Sequence, residues 1–248
     1  MRIVSPGFVR IYAHRGASRE LPENTMAAFR RAVELGADAL ETDVHLTSDG
    51  VLVTSHDPDG ARVFGVRRNI VESAWSEVRS WGIPSLEEMV QSFPGMPINV
   101  DLKVPAAKQA VDLLHRIGAA ERVTLASFQS STLRQVRALG YRGPTSLGRS
   151  EVARLVSLPA AAQRGALAPP GQAAQLPLSL AKPWVIRRCH ALGLRVDYWT
   201  INEPALARSL AAMGADGIMT DDPAAIVPAL RNSPTGTSGS AVPGREAE

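Results

Sequence analysis

Short apolar runs with strand character alternate with helix-like stretches along most of the chain, and this alternation restricts the fold to a parallel α/β architecture. Eight runs read as strands: 11–13, 40–44, 51–55, 98–102, 123–127, 145–147, 196–200 and 217–220. Helical periodicity falls between most of them, at 25–35, 85–93, 106–117, 132–139, 184–192 and 204–213. Eight strands with interleaved helices in 248 residues match a single (β/α)8 TIM barrel, which needs about 250 residues. The barrel is expected over residues 1–231. The Ser-, Gly-, Thr- and Pro-rich segment 232–248 reads as a short disordered C-terminal tail.

Two junctions echo each other, Leu35-Gly36-Ala37-Asp38 before Thr42-Asp43 and Met213-Gly214-Ala215-Asp216 before Thr220-Asp221. Glycine just past a helix end takes the left-handed cap cheaply, so part of the echo is ordinary junction chemistry. Residues 143–177, punctuated by Pro159, Pro169, Pro170 and Pro177, read as a helix followed by a long loop before the seventh strand. The one cysteine, Cys189, excludes an intramolecular disulfide. No window is apolar and long enough to span a bilayer, and the first residues lack the apolar stretch of a signal peptide. A cytoplasmic location is the simplest expectation, with a secreted protein lacking its signal as the alternative. The net charge of +3 comes with scattered arginines, and aromatics make up only 5%. A nucleic-acid partner would call for a basic groove with interleaved aromatics, so none is expected.

The polar residues follow the strand period. In Ile98-Asn99-Val100-Asp101-Leu102-Lys103, the apolar side chains share one face and Asn99, Asp101 and Lys103 the other. A surface antiparallel strand gives the same pattern. In a barrel the apolar face meets the outer helices and the polar face points into the mouth, where active sites of this fold sit. Glu41 and Asp43 likewise project from one face. Two carboxylates this close repel each other, and a hard divalent cation relieves the repulsion; surface charge is the competing reading. His14 follows the first strand and His56 the third. Each imidazole can give or take a proton near neutral pH, and each alone also reads as a structural residue. His115 and His190 fall inside helices and read as structural or surface residues. Arg15 and Lys103 are candidates to offset phosphate charge, with surface ion pairs as the alternative. Asn24 is expected as the N-cap of the first helix. Glu23 has no such local explanation and is a candidate to point at the site.

Taken together, His14-Arg15-Gly16, Pro22-Glu23-Asn24-Thr25, Glu41-x-Asp43, His56-Asp57 and Asp101-x-Lys103 occur in the order of the glycerophosphodiester phosphodiesterase family. Pro84-Ser85-Leu86-Glu87-Glu88, Ser127-Phe128, Trp199-Thr200-Ile201-Asn202 and the run from Asp216 to Pro223 also resemble its landmarks. The resemblance covers residues 11–228. It implies a TIM barrel that uses a divalent metal, Mg2+ or Ca2+, to hydrolyse a small-molecule phosphodiester to an alcohol and glycerol 3-phosphate. It assigns the metal to Glu41, Asp43 and Asp101 and the acid/base pair to His14 and His56. Phosphate and substrate contacts fall to Arg15 and Lys103, with Glu23 in support and Trp199 at the rim. The chain departs from the family's pattern at Asp101, where glutamate is more frequent. It also departs after His56-Asp57, where Pro58-Asp59-Gly60-Ala61-Arg62 lacks a frequent leucine.

Two other functions compete. A lysophospholipase-D-like or sphingomyelinase-D-like phosphodiesterase would need an apolar rim, for which Phe64, Trp75, Trp81 and Trp184 are candidates if they do not simply pack the core. A non-catalytic barrel serving as a binding module would be expected to have lost some of these side chains, and all are present.

Overall fold

The computed structural model describes residues 8–157 and 170–231. The expected tail, 232–248, lies outside the described residues, as does the 158–169 part of the expected loop. Strand β1 (Arg10–His14) leads through α1 (Met26–Glu34) to β2 (Ala39–Leu46). An excursion follows: β3 (Leu52–Thr54), β4 (Asp59–Gly60), α2 (Ala61–Phe64), β5 (Val66–Asn69), α3 (Trp75–Ser80) and α4 (Leu86–Ser92). The βα alternation then resumes with β6 (Ile98–Leu102), α5 (Ala107–Arg116), β7 (Val123–Ala126), α6 (Ser130–Ala138) and α7 (Arg149–Ser157). It ends with β8 (Ala173–Pro177), α8 (Pro183–Ala191), β9 (Arg195–Trp199), α9 (Pro204–Ala212), β10 (Gly217–Thr220) and α10 (Pro223–Arg231).

The sheet runs β7-β6-β2-β1-β10-β9-β8, and its barrel pairings are parallel. Two single parallel bridges, Leu125 with Thr145 and Ser146 with Ala173, join β7 to β8 and close the cylinder. The fold is therefore the expected TIM barrel, with two corrections to the strand assignment. Residues 51–55 do not form a barrel stave. Their strand, β3, runs antiparallel to β2 and lies off the barrel path. The missing stave comes from the region read as a loop, where β8 pairs with β9 over five residues. Pro177 at its end and the weak apolar pattern before it hid the strand.

Helices pack on the outward strand faces. Ile98, Val100 and Leu102 join Leu40, Val44 and the α1 and α5 side chains in one core cluster. Val196, Tyr198 and Ile218 anchor a second under α8 and α9. In α1 the spacing of Ala28, Phe29 and Ala32 places all three on the buried face. Asn24 is not the cap of this helix. Thr25 is, its side chain accepting from the Ala28 amide at 3.2 Å. Asn24 instead takes a left-handed backbone, φ 56°, and turns its amide inward. Of the aromatics offered as an apolar rim, Phe64, Trp75 and Trp81 pack on a small core beneath the excursion, and Trp184 is exposed on α8.

Candidate active site

The chain turns sharply after β1. Arg15 has φ 59° and Gly16 φ 84°. A Cβ on Gly16 would stand 2.6 Å from the Ala28 carbonyl carbon, so only glycine lets the turn rest on α1. The turn aims the Arg15 amide at Glu41 Oε2, 3.0 Å away, and brings Arg15 Nε within 2.9 Å of Asp43 Oδ2. That Nε–H is not directed at the oxygen and has no hydrogen-bond acceptor among the described residues.

Strand register gathers the carboxylates. Asp43 on β2 lies beside Asp101 on β6, and Glu41 lies beside His14 and Asn99. Lys103, just past β6, bridges two of them, with Nζ 2.8 Å from Asp43 Oδ1 and 2.7 Å from Asp101 Oδ2. Burial and the neighbouring Asp43 charge push the Glu41 carboxyl up to about 8. Asp101 is raised by burial despite the opposing charge of Lys103. Burial alone would lower the Lys103 ammonium, but Asp101 and Asp43 outweigh it and raise the group. The floor of the site thus holds more carboxylate than its own cations neutralise.

Each histidine is held at Nδ1 by an aspartate. His14 Nδ1 lies 2.6 Å from Asp221 Oδ1, and its Nε2 is 3.9 Å from Glu41 Oε2. Asn202 Nδ2 donates to the other Asp221 oxygen at 2.8 Å, and Ser18 Oγ donates to Asp221 Oδ1 at 3.3 Å. Burial disfavours the His14 imidazolium, yet Glu41 and Asp221 together raise its pKa. Burial likewise opposes the Asp221 carboxylate, but hydrogen bonds from His14 and Asn202 leave it below the usual range. His56 Nδ1 lies 2.7 Å from Asp57 Oδ1, and Arg62 Nε donates to Asp57 Oδ2 at 2.6 Å. Arg62 also forks onto Glu23 at 2.7 and 3.0 Å, and Glu23 accepts from Arg15 at 3.1 Å. Hydrogen bonding to Arg62 holds the Asp57 carboxyl down. Alternating charges therefore connect His56 to the carboxylate floor through Asp57, Arg62, Glu23 and Arg15.

His14, Arg15, Glu41, Asp43, His56, Asp101, Lys103 and Trp199 line one cavity of about 440 Å³. Glu23 does not line it and stands behind, tying Arg15 to Arg62. Trp199 meets Phe128 edge-on at 5.6 Å on the opposite wall, with Leu147, Val152 and Leu180. Among the described residues no three His, Cys, Asp or Glu side chains form a preassembled metal site, and Lys103 Nζ stands between Asp43 and Asp101. Glu41, Asp43 and Asp101 still fit a hard cation by donor type, since all offer carboxylate oxygens and Glu41 forms no ion pair among the described residues other than that with His14.

Across residues 14–225 the chain matches the model of the glycerophosphoryl diester phosphodiesterase family. The chain belongs to that family. It is 34% identical to the "Probable glycerophosphodiester phosphodiesterase 2" of Mycobacterium tuberculosis over 84% of this chain and 86% of that one. A glycerophosphodiester phosphodiesterase of Caldanaerobacter subterraneus is 26% identical over 89% of this chain and 97% of its own length. A phosphodiesterase of Oleispira antarctica, solved with the product sn-glycerol-3-phosphate, shares the fold with a TM-score of 0.74. It is 24% identical over 90% of this chain and 97% of that one. The protein is a phosphodiester hydrolase of this family.

Family membership leaves several neighbours of the site unexplained by the sequence reading. Asn24, a cap candidate by sequence, accepts from Thr42 Oγ1 at 2.7 Å and reaches Asp43 at 3.5 Å. Asp221 appeared only as part of a motif, although its position at the end of β10 places it beside the end of β1. Gln175 donates to Asn99 at 2.6 Å from the strand read as a loop. The nearest sequence signals were the inward phase of Asn99 and the polar run at Thr220-Asp221.

Proposed function

We propose that the protein hydrolyses glycerophosphodiesters to an alcohol and sn-glycerol 3-phosphate, with His14 and His56 as the acid/base pair. The observation that carries this reading is the matched pair of His–Asp contacts opening on one cavity with Arg15 and Lys103. An imidazole fixed at Nδ1 leaves Nε2 to exchange a proton with substrate. His56, the more exposed of the two, takes the proton from the nucleophile, either water or the glycerol 2-hydroxyl; the hydroxyl route gives a cyclic phosphate, which water then opens to glycerol 3-phosphate in a second step. As the new P–O bond forms, the bond to the head-group oxygen breaks, and His14 Nε2 protonates the departing alkoxide. The carboxylates of Glu41 and Asp221 favour the imidazolium that this role needs. Arg15 and Lys103 offset the charge that grows on the phosphoryl oxygens.

Glu41, Asp43 and Asp101 would hold a Mg2+ or Ca2+ ion, which when bound supplies Lewis-acid polarisation of the phosphate. Lys103, which pairs with Asp43 and Asp101, would share those carboxylates with the ion and offset phosphate charge beside it. The Oleispira neighbour, solved with glycerol 3-phosphate, supports the product. Leu147, Val152, Pro177 and Leu180 on the cavity wall favour a second reading, a lysophospholipid whose acyl chain lies along them. Among the described residues no helix is long and apolar enough to cross a membrane.

The test is release of glycerol 3-phosphate from soluble glycerophosphodiesters with EDTA, Mg2+ or Ca2+, by wild type and His14→Ala. Release that needs the cation and is lost in the variant supports the reading. Folded wild type that releases none under any cation, yet cleaves a micellar lysophospholipid, replaces it with the second.

A further inference from the structure

The wall of the cavity facing the histidines carries a cation that the reaction scheme does not use. Arg149, the first residue of α7, lines the cavity and is exposed at its mouth. Its guanidinium lies over the Phe128 ring, 5.2 Å from the centroid, and Lys103 Nζ lies 5.6 Å from the same centroid. Among the described residues no carboxylate pairs with Arg149. The acid nearest in sequence, Glu151, is committed to Arg137 at 2.6 Å and to the Gly148 amide at 2.8 Å. The cavity's acidic lining is confined to Glu41, Asp43 and Asp101: Asp43 pairs with Lys103 and Arg15, Asp101 with Lys103, and Glu41 with His14. Residues 158–169, outside the described residues, contain no Asp or Glu in their sequence.

A pocket that selects a quaternary or primary ammonium offers free aromatic faces and a nearby carboxylate. Here the phenyl ring in the wall already carries two of the protein's own cations, and each carboxylate lining the cavity already faces a cationic or imidazole partner. Resting on the hydrolase reading above, we propose that Arg149 is a specificity-determining residue that selects phosphodiesters whose leaving alcohol bears an anionic group. The shared chemistry is a carboxylate or a second phosphate on the head group, received bidentately by the guanidinium. Cationic head groups are disfavoured by the same charge, since discrimination arises as much from repulsion of the wrong partner as from attraction of the right one.

The experiment compares kcat/KM for three glycerophosphodiesters in low salt with Mg2+. Their head groups are glycerol phosphate (anionic), glycerol (neutral) and choline (cationic). Wild type, Arg149→Lys and Arg149→Glu are measured. The expected wild-type order is anionic, neutral, cationic. Arg149→Glu lowers the anionic-to-cationic ratio by roughly tenfold or more, equivalent to about 1.4 kcal/mol. Arg149→Lys keeps the order with a smaller ratio, and the change appears mainly in KM. A ratio that is the same in wild type and Arg149→Glu, or a wild type that prefers choline, overturns the selection while leaving the hydrolase reading intact. No turnover of any of the three by folded wild type overturns both.

Discussion

Replacing Asp221 with asparagine exchanges one carboxylate oxygen for an NH2 and gives a sharp test of the role assigned to His14. The orientation of the new amide is fixed by its neighbours. Asn202 Oδ1 accepts from Thr220 Oγ1 at 3.0 Å and from the Asp221 amide at 2.9 Å, so Asn202 Nδ2 must face the side chain at position 221. In the variant the side-chain oxygen at that position turns toward this donor, and the NH2 replaces the carboxylate oxygen now 2.6 Å from His14 Nδ1. An imidazolium, with a proton on each nitrogen, would meet a donor with a donor. A hydrogen bond to a charged group is worth about 1.5–3 kcal/mol. Losing it should reduce kcat/KM by roughly 10- to 150-fold. Because the carboxylate helps raise His14, the basic limb of the pH–rate profile should move to lower pH. The decisive comparison uses a glycerophosphodiester with a p-nitrophenyl leaving group, which departs without needing a proton. Asp221→Asn should lose far less activity on it than on an alkyl substrate. Equal losses on both, in protein with an unchanged melting profile, would refute His14 as the acid that Asp221 positions.

The same groups set expectations for stability and binding. Glu41 has its pKa raised from 4.5 to about 8 in the fold, so it favours the neutral form; in EDTA the native state should lose stability as pH rises from 4.5 toward 8. Glu41→Gln should remove that slope in thermal melts, and added Mg2+ or Ca2+ should raise the melting temperature of wild type but not of the variant. The lowered Asp221 pKa has the opposite sign: its contribution is present above 3.8 and is lost as pH falls through the depressed value, which acid titration of wild type against Asp221→Asn will show. Gly16→Ala should cost about 1–3 kcal/mol or more in chemical denaturation, because the left-handed turn and the Ala28 backbone both refuse a Cβ. Phe29→Ala, at a fully buried position on α1, should cost about 3–5 kcal/mol with little change in KM, and a large KM change would show that α1 packing sets the Arg15 turn.

The barrel was legible because its main signal is local: apolar residues in period two on β6 and period 3.6 on α1 and α5 report their own faces. The inward phase of Glu41, Asp43, Asp101 and Lys103 could be read from the same period, and the structure gathers these side chains around one cavity. Pairing partners were not legible. Residues 51–55 have the composition of a stave, but only the short turn from β2 and the antiparallel register reveal a hairpin. β8 was hidden because half of its pairing information lies in β9. Asn24 is ambiguous in sequence for a related reason. A residue that can cap a helix can also adopt φ > 0, and Thr25 beside it was equally able to cap. Asp221 and Arg149 are far in sequence from what they face, so no spacing rule pointed to them.

The two imidazoles belong to different parts of the architecture. His14 ends a stave of the closed cylinder, whereas His56 follows a hairpin strand outside it, over a small separate core of Val53, Ile70, Val78 and Ile83. Sub-global opening of such a unit costs less than opening the whole molecule. Mild denaturant or heat should therefore expose the amides of residues 52–83 to hydrogen exchange before those of the cylinder, carrying His56 away while circular dichroism barely changes. Loss of turnover and loss of fold become separately measurable events, and a half-life of activity is no measure of the lifetime of the barrel.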